Sequence, residues 1–401
     1  MSRGPCLVAT LAALAGAPAC LLTNDFFGLE DVAPVVAVER PEAFPGGGFG
    51  ASLAGYESAA LGGLVAVGGN TGTDVYVFQS TKSTGRLFPD AEFARMCEDR
   101  VECEGRGFGR SFVWMSSFAL GTDCGVMGAP LTDSVFAFCL DGSFLDSATT
   151  PARSSLGTSI AGAVDGTEVF VGAPASDERV YVWADADRAT LVGVGLGLGG
   201  TIGEAVAAIR IDGETVRVAA GGGGEVVVFN WADGAATLVG EPRLGSAGFG
   251  SVLAWGDSME TPGPELYAGG GGQVRVYSGA TLDDVRSLDC EGDCASFGDA
   301  IAVGDVTDDG RDEIVVGWPA RASSGKSFSG AVAVYAHDAT TAPEILTDST
   351  PEADEELGRA VAVVPVGDRN EIAAGAGGEI LWFLCSGLVG DGPEVGERCR
   401  P

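Results

Sequence analysis

The sequence predicts an all-β fold, a seven-bladed β-propeller of four-stranded blades. Three observations support this prediction: a high glycine content, one unit that recurs seven times, and strand-forming segments inside every copy of that unit. The chain has 401 residues, of which 64 are Gly. Because Gly destabilises a helix by about 1 kcal/mol per residue relative to Ala, this composition argues against a mainly helical protein.

The repeated unit opens with an aromatic or aliphatic residue followed by Gly. Successive openings lie 46 to 60 residues apart. A period near 48 residues accommodates four short strands with tight turns, which is one propeller blade. The seven openings are Phe49-Gly50, Phe108-Gly109, Leu156-Gly157, Ile202-Gly203, Phe249-Gly250, Phe297-Gly298 and Leu357-Gly358.

Within each unit, an apolar second strand ends in Gly-Ala-Pro or Gly-Gly, as in VFVGAP at 169–174 and VRVAAGG at 216–222. A third strand rich in Val, Tyr and Phe follows. Units this short cannot bury their own faces, so neighbouring units must stack. An open solenoid is the main alternative, but seven units and a tail that Cys385 and Cys399 tie back fit a closed ring better.

The outermost strand of each unit lies just before the next opening. The segment at 35–39, VVAVE, precedes the first opening and has strand character, whereas the segment after Cys385 is a poor strand. We therefore predict that the N-terminal strand joins the last blade as its fourth strand. Such a pairing removes an exposed sheet edge and closes the ring.

Charge excludes several partners. The formal net charge is −33, with 56 acidic and 23 basic residues and no basic run. Nucleic acids and anionic membranes are bound by clustered Lys and Arg, so neither is an expected partner. The single histidine, His337, leaves no material for a His-rich metal site or a Ser-His-Asp triad, and we expect it to be a surface or hydrogen-bonded residue.

The N-terminus has the plan of a secretory signal. Arg3 precedes an apolar run to Ala17, and small residues then lead into Cys20. The segment resembles a bacterial lipoprotein signal, which implies lipidation of Cys20, while plain secretion stays open. The predicted organisation is a signal peptide at 1–19, a tether at 20–33, and a propeller with a C-terminal tail at 34–401.

Cysteine usage also points to export. Beyond Cys6, in the signal, nine cysteines remain, and eight fall into local pairs. An exported chain favours disulfides, and acylation would explain the unpaired Cys20. Reduced buried cysteines, or a metal at the C-x-x-x-C of the third pair, are the alternatives. The expected pairs are Cys97 with Cys103, Cys124 with Cys139, Cys290 with Cys294, and Cys385 with Cys399.

The Phe-Gly openings, together with the Gly-Ala-Pro tripeptides at 128–130 and 172–174, resemble FG-GAP repeats. That repeat is the unit of the integrin alpha-subunit propeller and of many bacterial surface proteins. The resemblance covers roughly Val35 to Cys385 and implies a seven-bladed propeller used for binding. Blades one, four, five and seven depart from it, with Gly-Gly in place of Gly-Ala-Pro.

One loop carries candidate metal ligands. In blade six the segment DVTDDGRDE at 305–313 places oxygen groups at alternate positions of a tight turn, the arrangement that a hard cation requires. An EF-hand would need Glu at position twelve, which is Val316. The loop is similar to the FG-GAP family's D-x-N-x-D-G-x-x-D loop, and this resemblance implies one Ca²⁺. Its implied ligands are the side chains of Asp305, Thr307, Asp309 and Glu313 and the carbonyl of Arg311.

The expected function is that of an exported, non-enzymatic adhesion or binding protein with a protein or glycan partner. It would sit in the outer membrane or on the cell surface as a lipoprotein, or be secreted or periplasmic, and contact membranes only through its lipid. A lectin-like propeller is the first alternative, with Trp255 and Trp318 as its best sugar-stacking candidates. A propeller enzyme is the second, and the single His argues against it.

Overall fold

The computed structural model describes residues 36–39, 50–58, 62–69, 75–80, 87–96, 109–115, 124–139, 144–150, 153–162, 168–184, 191–259, 261–290, 292–337, 339, 342–348, 350–366, 369–385 and 399–400. The chain divides into two units, Met1–Glu30 and Asp31–Pro401, and every described residue belongs to the second. The predicted signal peptide, the tether, Cys20, Cys97 and Cys103 lie outside the described residues.

Seven antiparallel sheets form a ring, which confirms the predicted fold class. Each sheet is one blade, and in blades one to six the four strands follow chain order from the inner strand outward. The inner strands of successive blades contact one another, and the inner strand of blade seven contacts that of blade one. No α-helix occurs in the described parts of the chain, and none of them holds a helix long and apolar enough to cross a membrane.

The four strand positions recur in every blade. The inner strands are Ser52–Ser58, Phe112–Met115, Ile160–Gly162, Ala205–Arg210, Val252–Gly256, Ala300–Gly304 and Val361–Val366. The second strands are Gly62–Gly68, Cys124–Ala129, Glu168–Ala173, Val216–Gly222, Glu265–Gly270, Glu313–Gly317 and Arg369–Ala376. The third strands are Val75–Ser80, Ser134–Cys139, Arg179–Ala184, Glu225–Ala232, Gln273–Tyr277, Val332–Tyr335 and Glu379–Cys385. The outer strands are Leu87–Met96, Phe144–Thr149, Leu191–Gly193, Ala235–Leu238, Asp284–Leu288, Glu344–Leu346 and, for blade seven, Val36–Glu39.

Blade seven contains strands from both ends of the chain. Val36–Glu39 pairs antiparallel with the third strand, Val36 opposite Trp382 and Glu39 opposite Glu379. That this N-terminal strand closes the ring stays a prediction. Near the C-terminal end of the sequence, Cys399–Arg400 pairs with Leu384 and Cys385, although the sequence of residues 386–401 does not predict a strand. Only two residues pair there, too few to leave a strand pattern in the sequence.

The hydrophobic core is distributed among the blades. The described residues form seven apolar clusters, and each fills the interface between two neighbouring blades. Between blades seven and one, for example, Tyr76 and Phe78 pack against Val364, Ile380 and Trp382. Stability therefore depends on contacts between repeats, as expected for units that cannot bury their own faces.

A glycine-to-glycine contact joins each blade to the next. The opening Gly358 of blade seven has φ +87° and donates its N–H to the Gly375 carbonyl at 2.9 Å. A Cβ on Gly317, in the second strand of blade six, would overlap the Gly358 carbonyl oxygen. The same approach recurs around the ring between Gly68 and Gly109, Gly128 and Gly157, Gly172 and Gly203, Gly221 and Gly250, Gly269 and Gly298, and Gly375 and Gly50.

Serine hydroxyls reinforce this contact in one half of the ring. Ser52, Ser111 and Ser159 each donate to the carbonyl of the next blade's opening glycine, at 2.5, 2.7 and 3.2 Å. These bonds link blade one to two, two to three, and three to four. The corresponding residues of blades four to seven have no hydroxyl and are Ala205, Val252, Ala300 and Ala360.

Two of the predicted disulfides are confirmed. Cys124–Cys139 joins the second and third strands of blade two, and Cys290–Cys294 lies in the connection from blade five to blade six. The Cα register also sets Cys385 opposite Cys399, as the predicted fourth pair requires. The side chains of that pair lie outside the described residues.

Asp133 holds the connection between blades two and three. It follows the short 3-10 turn Pro130–Thr132, and its carboxylate accepts the N–H groups of Arg153 and Ser155, both at 2.6 Å, and the Ser154 hydroxyl at 2.9 Å. Burial alone would raise the pKa of Asp133, but these hydrogen bonds outweigh burial and lower the pKa below its ordinary value.

We expect Gly358→Ala to destabilise the fold much more than Gly325→Ala. Both glycines have positive φ, but a Cβ on Gly358 meets backbone atoms of Ala331, Trp318 and Gly317, whereas a Cβ on Gly325 meets nothing within 4 Å. The left-handed backbone costs about 1 kcal/mol in either variant, and the overlap at Gly358 adds about 1–3 kcal/mol. Denaturant unfolding measures the difference, and equal losses would contradict the packing role of Gly358.

We expect Asp133→Asn to cost about 1.5–3 kcal/mol at neutral pH, because hydrogen bonds to a charged acceptor are lost. The folded-state pKa of Asp133 lies below the unfolded value, so its contribution is complete above about pH 5 and disappears as the pH falls through the folded-state pKa. The gap between wild type and variant in urea unfolding should therefore narrow on acidification. A gap that stays constant down to about pH 2 would show that the charge of Asp133 contributes nothing.

Candidate metal centre in blade six

The candidate loop connects the inner and second strands of blade six. Gly304 pairs with Glu313, so residues 305–312 form the hairpin connection. Asp308 and Gly310 have φ +59° and +84°, which lets the chain turn sharply twice within this segment. A loop of this kind brings carboxylates that alternate in sequence to one side.

Two carboxylates of the loop organise its backbone. Asp305 accepts the N–H of Asp309 at 3.1 Å and that of Gly310 at 2.8 Å. Asp309 accepts the N–H of Arg311 at 3.0 Å. Each bond uses one lone pair of an oxygen that has two, so these carboxylates retain acceptor capacity for a cation.

Neighbouring blades hold the loop from both sides. The Asn370 side chain of blade seven donates to the Asp305 carbonyl at 2.8 Å. From blade five, the Asp257 N–H donates to the Asp312 carboxylate at 3.1 Å. Burial raises the pKa of Asp312. The loop is therefore fixed in place before any ion arrives.

Glu313 is the buried acid of the loop. Its side chain is almost completely buried, and one carboxylate oxygen, Oε2, accepts the N–H groups of Val306 and Thr307, both at 3.1 Å. The other oxygen, Oε1, is buried and has no hydrogen-bond partner among the described residues, and the same holds for the Thr307 hydroxyl. Burial, with a contribution from the charge of Asp309, raises the pKa of Glu313 to about 7.

Blade five contains the matching arrangement with one difference. Glu265 occupies the place of Glu313, and its Oε2 accepts the N–H groups of Ser258 and Met259, both at 3.1 Å. Its Oε1, however, accepts the hydroxyl of Thr261, the fifth residue of that loop. The fifth residue in blade six is Asp309, a second carboxylate in place of a hydroxyl donor. In blade five a hydroxyl of the same loop donates to the buried glutamate, whereas in blade six the residue at that place is a second carboxylate.

His337 is part of the same cluster. One ligand atom each from Asp309, Glu313 and His337 lies within 4.8 Å of the other two. The Nδ1 atom of His337 is buried and has no hydrogen-bond partner among the described residues. His337 as a whole is half-buried, so part of its side chain lies at the surface as expected while Nδ1 is buried.

The predicted ligands are only partly brought together. Asp309 and Glu313 converge, Thr307 contributes a buried hydroxyl beside them, and Arg311 is exposed on the loop. Asp305 is not a member of the group of three. The pairing of the second and third strands brings His337 to this loop. Tyr335 lies opposite Ile314, so the chain that continues from Tyr335 to His337 passes the start of the second strand, where Glu313 lies.

The model of the FG-GAP repeat family matches residues 297–335, which contain the inner, second and third strands of blade six. Blade six is thus similar to an FG-GAP repeat. The candidate loop lies inside the matched segment, at its inner hairpin, and the other six blades repeat the four-stranded architecture around the ring.

Among solved structures, a chain of the "Crystal Structure of Mitotic Checkpoint Complex" is similar to this propeller. The TM-score is 0.59 at 15% sequence identity, and the likeness covers 93% of this chain and 98% of that chain. At this identity the likeness concerns the fold alone. Among curated proteins, no match to the chain is found.

Proposed function

We propose that the chain is an exported, non-enzymatic binding protein of the cell surface, and that one Ca²⁺ in the blade-six loop stabilises its integrin-like propeller. The FG-GAP repeat and the seven-bladed ring support the propeller part of this proposal. The signal-like N-terminus, the disulfides and the acidic composition support export.

The closeness of Asp309 and Glu313 carries the calcium proposal. One oxygen of Glu313 is buried without a hydrogen-bond partner among the described residues, and the carboxylates of Glu313 and Asp309 have oxygens within 4.8 Å of each other. Asp309 stands at the place where blade five supplies the Thr261 hydroxyl. A hard cation would offset the repulsion between the two carboxylates and would supply the missing partner of the buried oxygen. Oxygen ligands are available from Asp309, Glu313, Thr307 and the Arg311 carbonyl. Ca²⁺ is the ion that suits a flexible set of oxygen ligands.

His337 favours Zn²⁺ as the second candidate ion. Imidazole nitrogen suits Zn²⁺ and other transition metals, whereas Ca²⁺ takes oxygen ligands. A site that uses the Nδ1 atom of His337 with Asp309 and Glu313 would be a three-ligand zinc site. The two ions are distinguished by whether His337 is required.

A partner that is a protein or a glycan fits a propeller whose loops vary while its strands repeat. Sugar stacking on Trp318 is disfavoured because its ring is only 2% exposed and its indole N–H donates to the Asp293 carbonyl. Trp255 donates to the Ala207 carbonyl and lies on an inner strand. Of the two partner classes we therefore place a protein first and a glycan second.

Calcium should raise the thermal midpoint of the wild type and of Asp308→Asn, and should have little effect on Asp309→Asn. Both variants remove one charge from the same loop, but only Asp309 lies in the cluster with Glu313. Ions at about ten times their Kd stabilise by about 1.4 kcal/mol, a rise of about 2 °C or more. Differential scanning calorimetry after chelation and addition of several millimolar Ca²⁺ measures the shift.

An absent shift in the wild type, or equal shifts in the two variants, would contradict the calcium proposal. The same experiment with micromolar Zn²⁺ includes His337→Gln. If Zn²⁺ stabilises the wild type and His337→Gln abolishes the effect while Ca²⁺ has none, the loop is a zinc site.

Export and binding need separate tests. In a Gram-negative host, we expect the wild type to incorporate labelled palmitate and to fractionate with membranes, and Cys20→Ala to be exported without label. A wild type that is exported but unlabelled would establish plain secretion. The soluble Cys20→Ala protein then serves as the probe on protein and glycan arrays at millimolar Ca²⁺, and turnover of arrayed ligands would contradict the non-enzymatic proposal.

A further inference from the structure

A second acidic cluster lies between blades six and seven. A cavity of about 550 Å³ is formed by the connection that leaves the outer strand of blade six and by the turn before the third strand of blade seven. Five carboxylates line it, and the lining contains no basic residue among those described. The five are Asp348, Glu352, Asp354, Glu355 and Glu379.

Three of these carboxylates converge. One oxygen each from Asp348, Glu355 and Glu379 lies within 4.8 Å of the other two. Asp348 and Glu355 are buried and come from one connection, whereas Glu379 begins a strand of the next blade. Carboxylates this close repel one another unless a cation or a proton offsets their charge.

Glu355 supplies an independent indication of a ligand. Its side chain is 8% exposed, and one oxygen, Oε2, accepts the N–H of Glu352 at 2.9 Å. Its other oxygen, Oε1, is buried and has no hydrogen-bond partner among the described residues, although it belongs to a residue that lines the cavity. Buried polar atoms in folded proteins nearly always have a partner, and a bound cation would supply the one that this oxygen lacks.

The connection that carries Glu355 is held rigidly. The N–H of Asp354 donates to the Ser327 carbonyl at 3.1 Å, and that of Glu356 donates to the Phe328 carbonyl at 2.8 Å. Both bonds fix the connection to the loop between the second and third strands of blade six. The ligand oxygens are therefore positioned in advance, which lowers the cost of binding.

The cavity and the blade-six metal loop lie on opposite faces of the ring. In an antiparallel blade, connections alternate between faces, so the first hairpin and the connection to the next blade emerge on opposite sides. The metal loop is a first hairpin, whereas the cavity is formed by a connection to the next blade and a second-to-third turn. The two acidic clusters are thus independent sites.

We propose that Asp348, Glu355 and Glu379 bind a second hard divalent cation, Ca²⁺ or Mg²⁺, between blades six and seven. All three ligands are carboxylates, the ligand type that hard cations take, and among the described residues no nitrogen or sulfur ligand joins the group of three. The cavity is larger than one ion, so the ion keeps water on its open side. Ca²⁺, which tolerates a variable ligand number, is the probe of choice.

Equilibrium dialysis of the purified full chain against radioactive Ca²⁺ at several millimolar counts the bound ions. We expect Glu355→Gln and Glu379→Gln each to lose one ion per chain relative to wild type. Glu352→Gln removes a charge from the same cavity but not from the group of three, so it should bind as many ions as wild type. Glu379 is only partly buried, so its variant keeps the test valid if Glu355→Gln fails to fold.

The proposal is overturned if Glu355→Gln and Glu379→Gln both fold and bind as many Ca²⁺ ions as wild type, with the same result when Mg²⁺ replaces Ca²⁺. It is also overturned if Glu352→Gln loses the same ion. Asp309→Asn in the same experiment reports on blade six alone. If that variant loses no ion while Glu355→Gln loses one, the blade-six proposal fails and the second site stands.

Discussion

The close approach of two glycine backbones between neighbouring blades is the constraint on which the ring depends. At each interface a second-strand glycine lies against the carbonyl of the next blade's opening glycine, and a methyl group in that position would overlap the oxygen. This contact recurs at all seven interfaces and lets the apolar faces of adjacent blades meet closely. The fourteen glycines that form it are thus a packing requirement.

Because the strands satisfy this constraint, the loops are free to differ. Two loops at equivalent places in blades five and six hold a buried glutamate in the same way, and a single residue, Thr261 or Asp309, decides whether the glutamate finds a hydroxyl or another carboxylate. A few loop residues therefore determine the chemistry of each site, while the strands that carry the loops keep the same arrangement.

Sequence reasoning recovered most of the fold because the repeat is local: the Gly-rich openings and the strands between them can be read in any one copy. It identified the blade-six loop for the same reason, since Asp309 and Glu313 are four residues apart. His337 was missed because its approach depends on strand register. Asp348, Glu355 and Glu379 were missed because two blades have to meet before they converge. The short strand Cys399–Arg400 was missed because only two of its residues pair.

The serine hydroxyls that bridge blades one to four are absent from the other arc of the ring. The two arcs share the glycine contact but differ in one side-chain hydrogen bond at every seam. Other hydrogen bonds cross the seams that follow blade four, from the Arg217 side chain to the Gly279 carbonyl and from the Asn370 side chain to the Asp305 carbonyl. The two arcs therefore close the same glycine contact with different side chains, and both acidic clusters lie in the arc whose seams use these longer side chains.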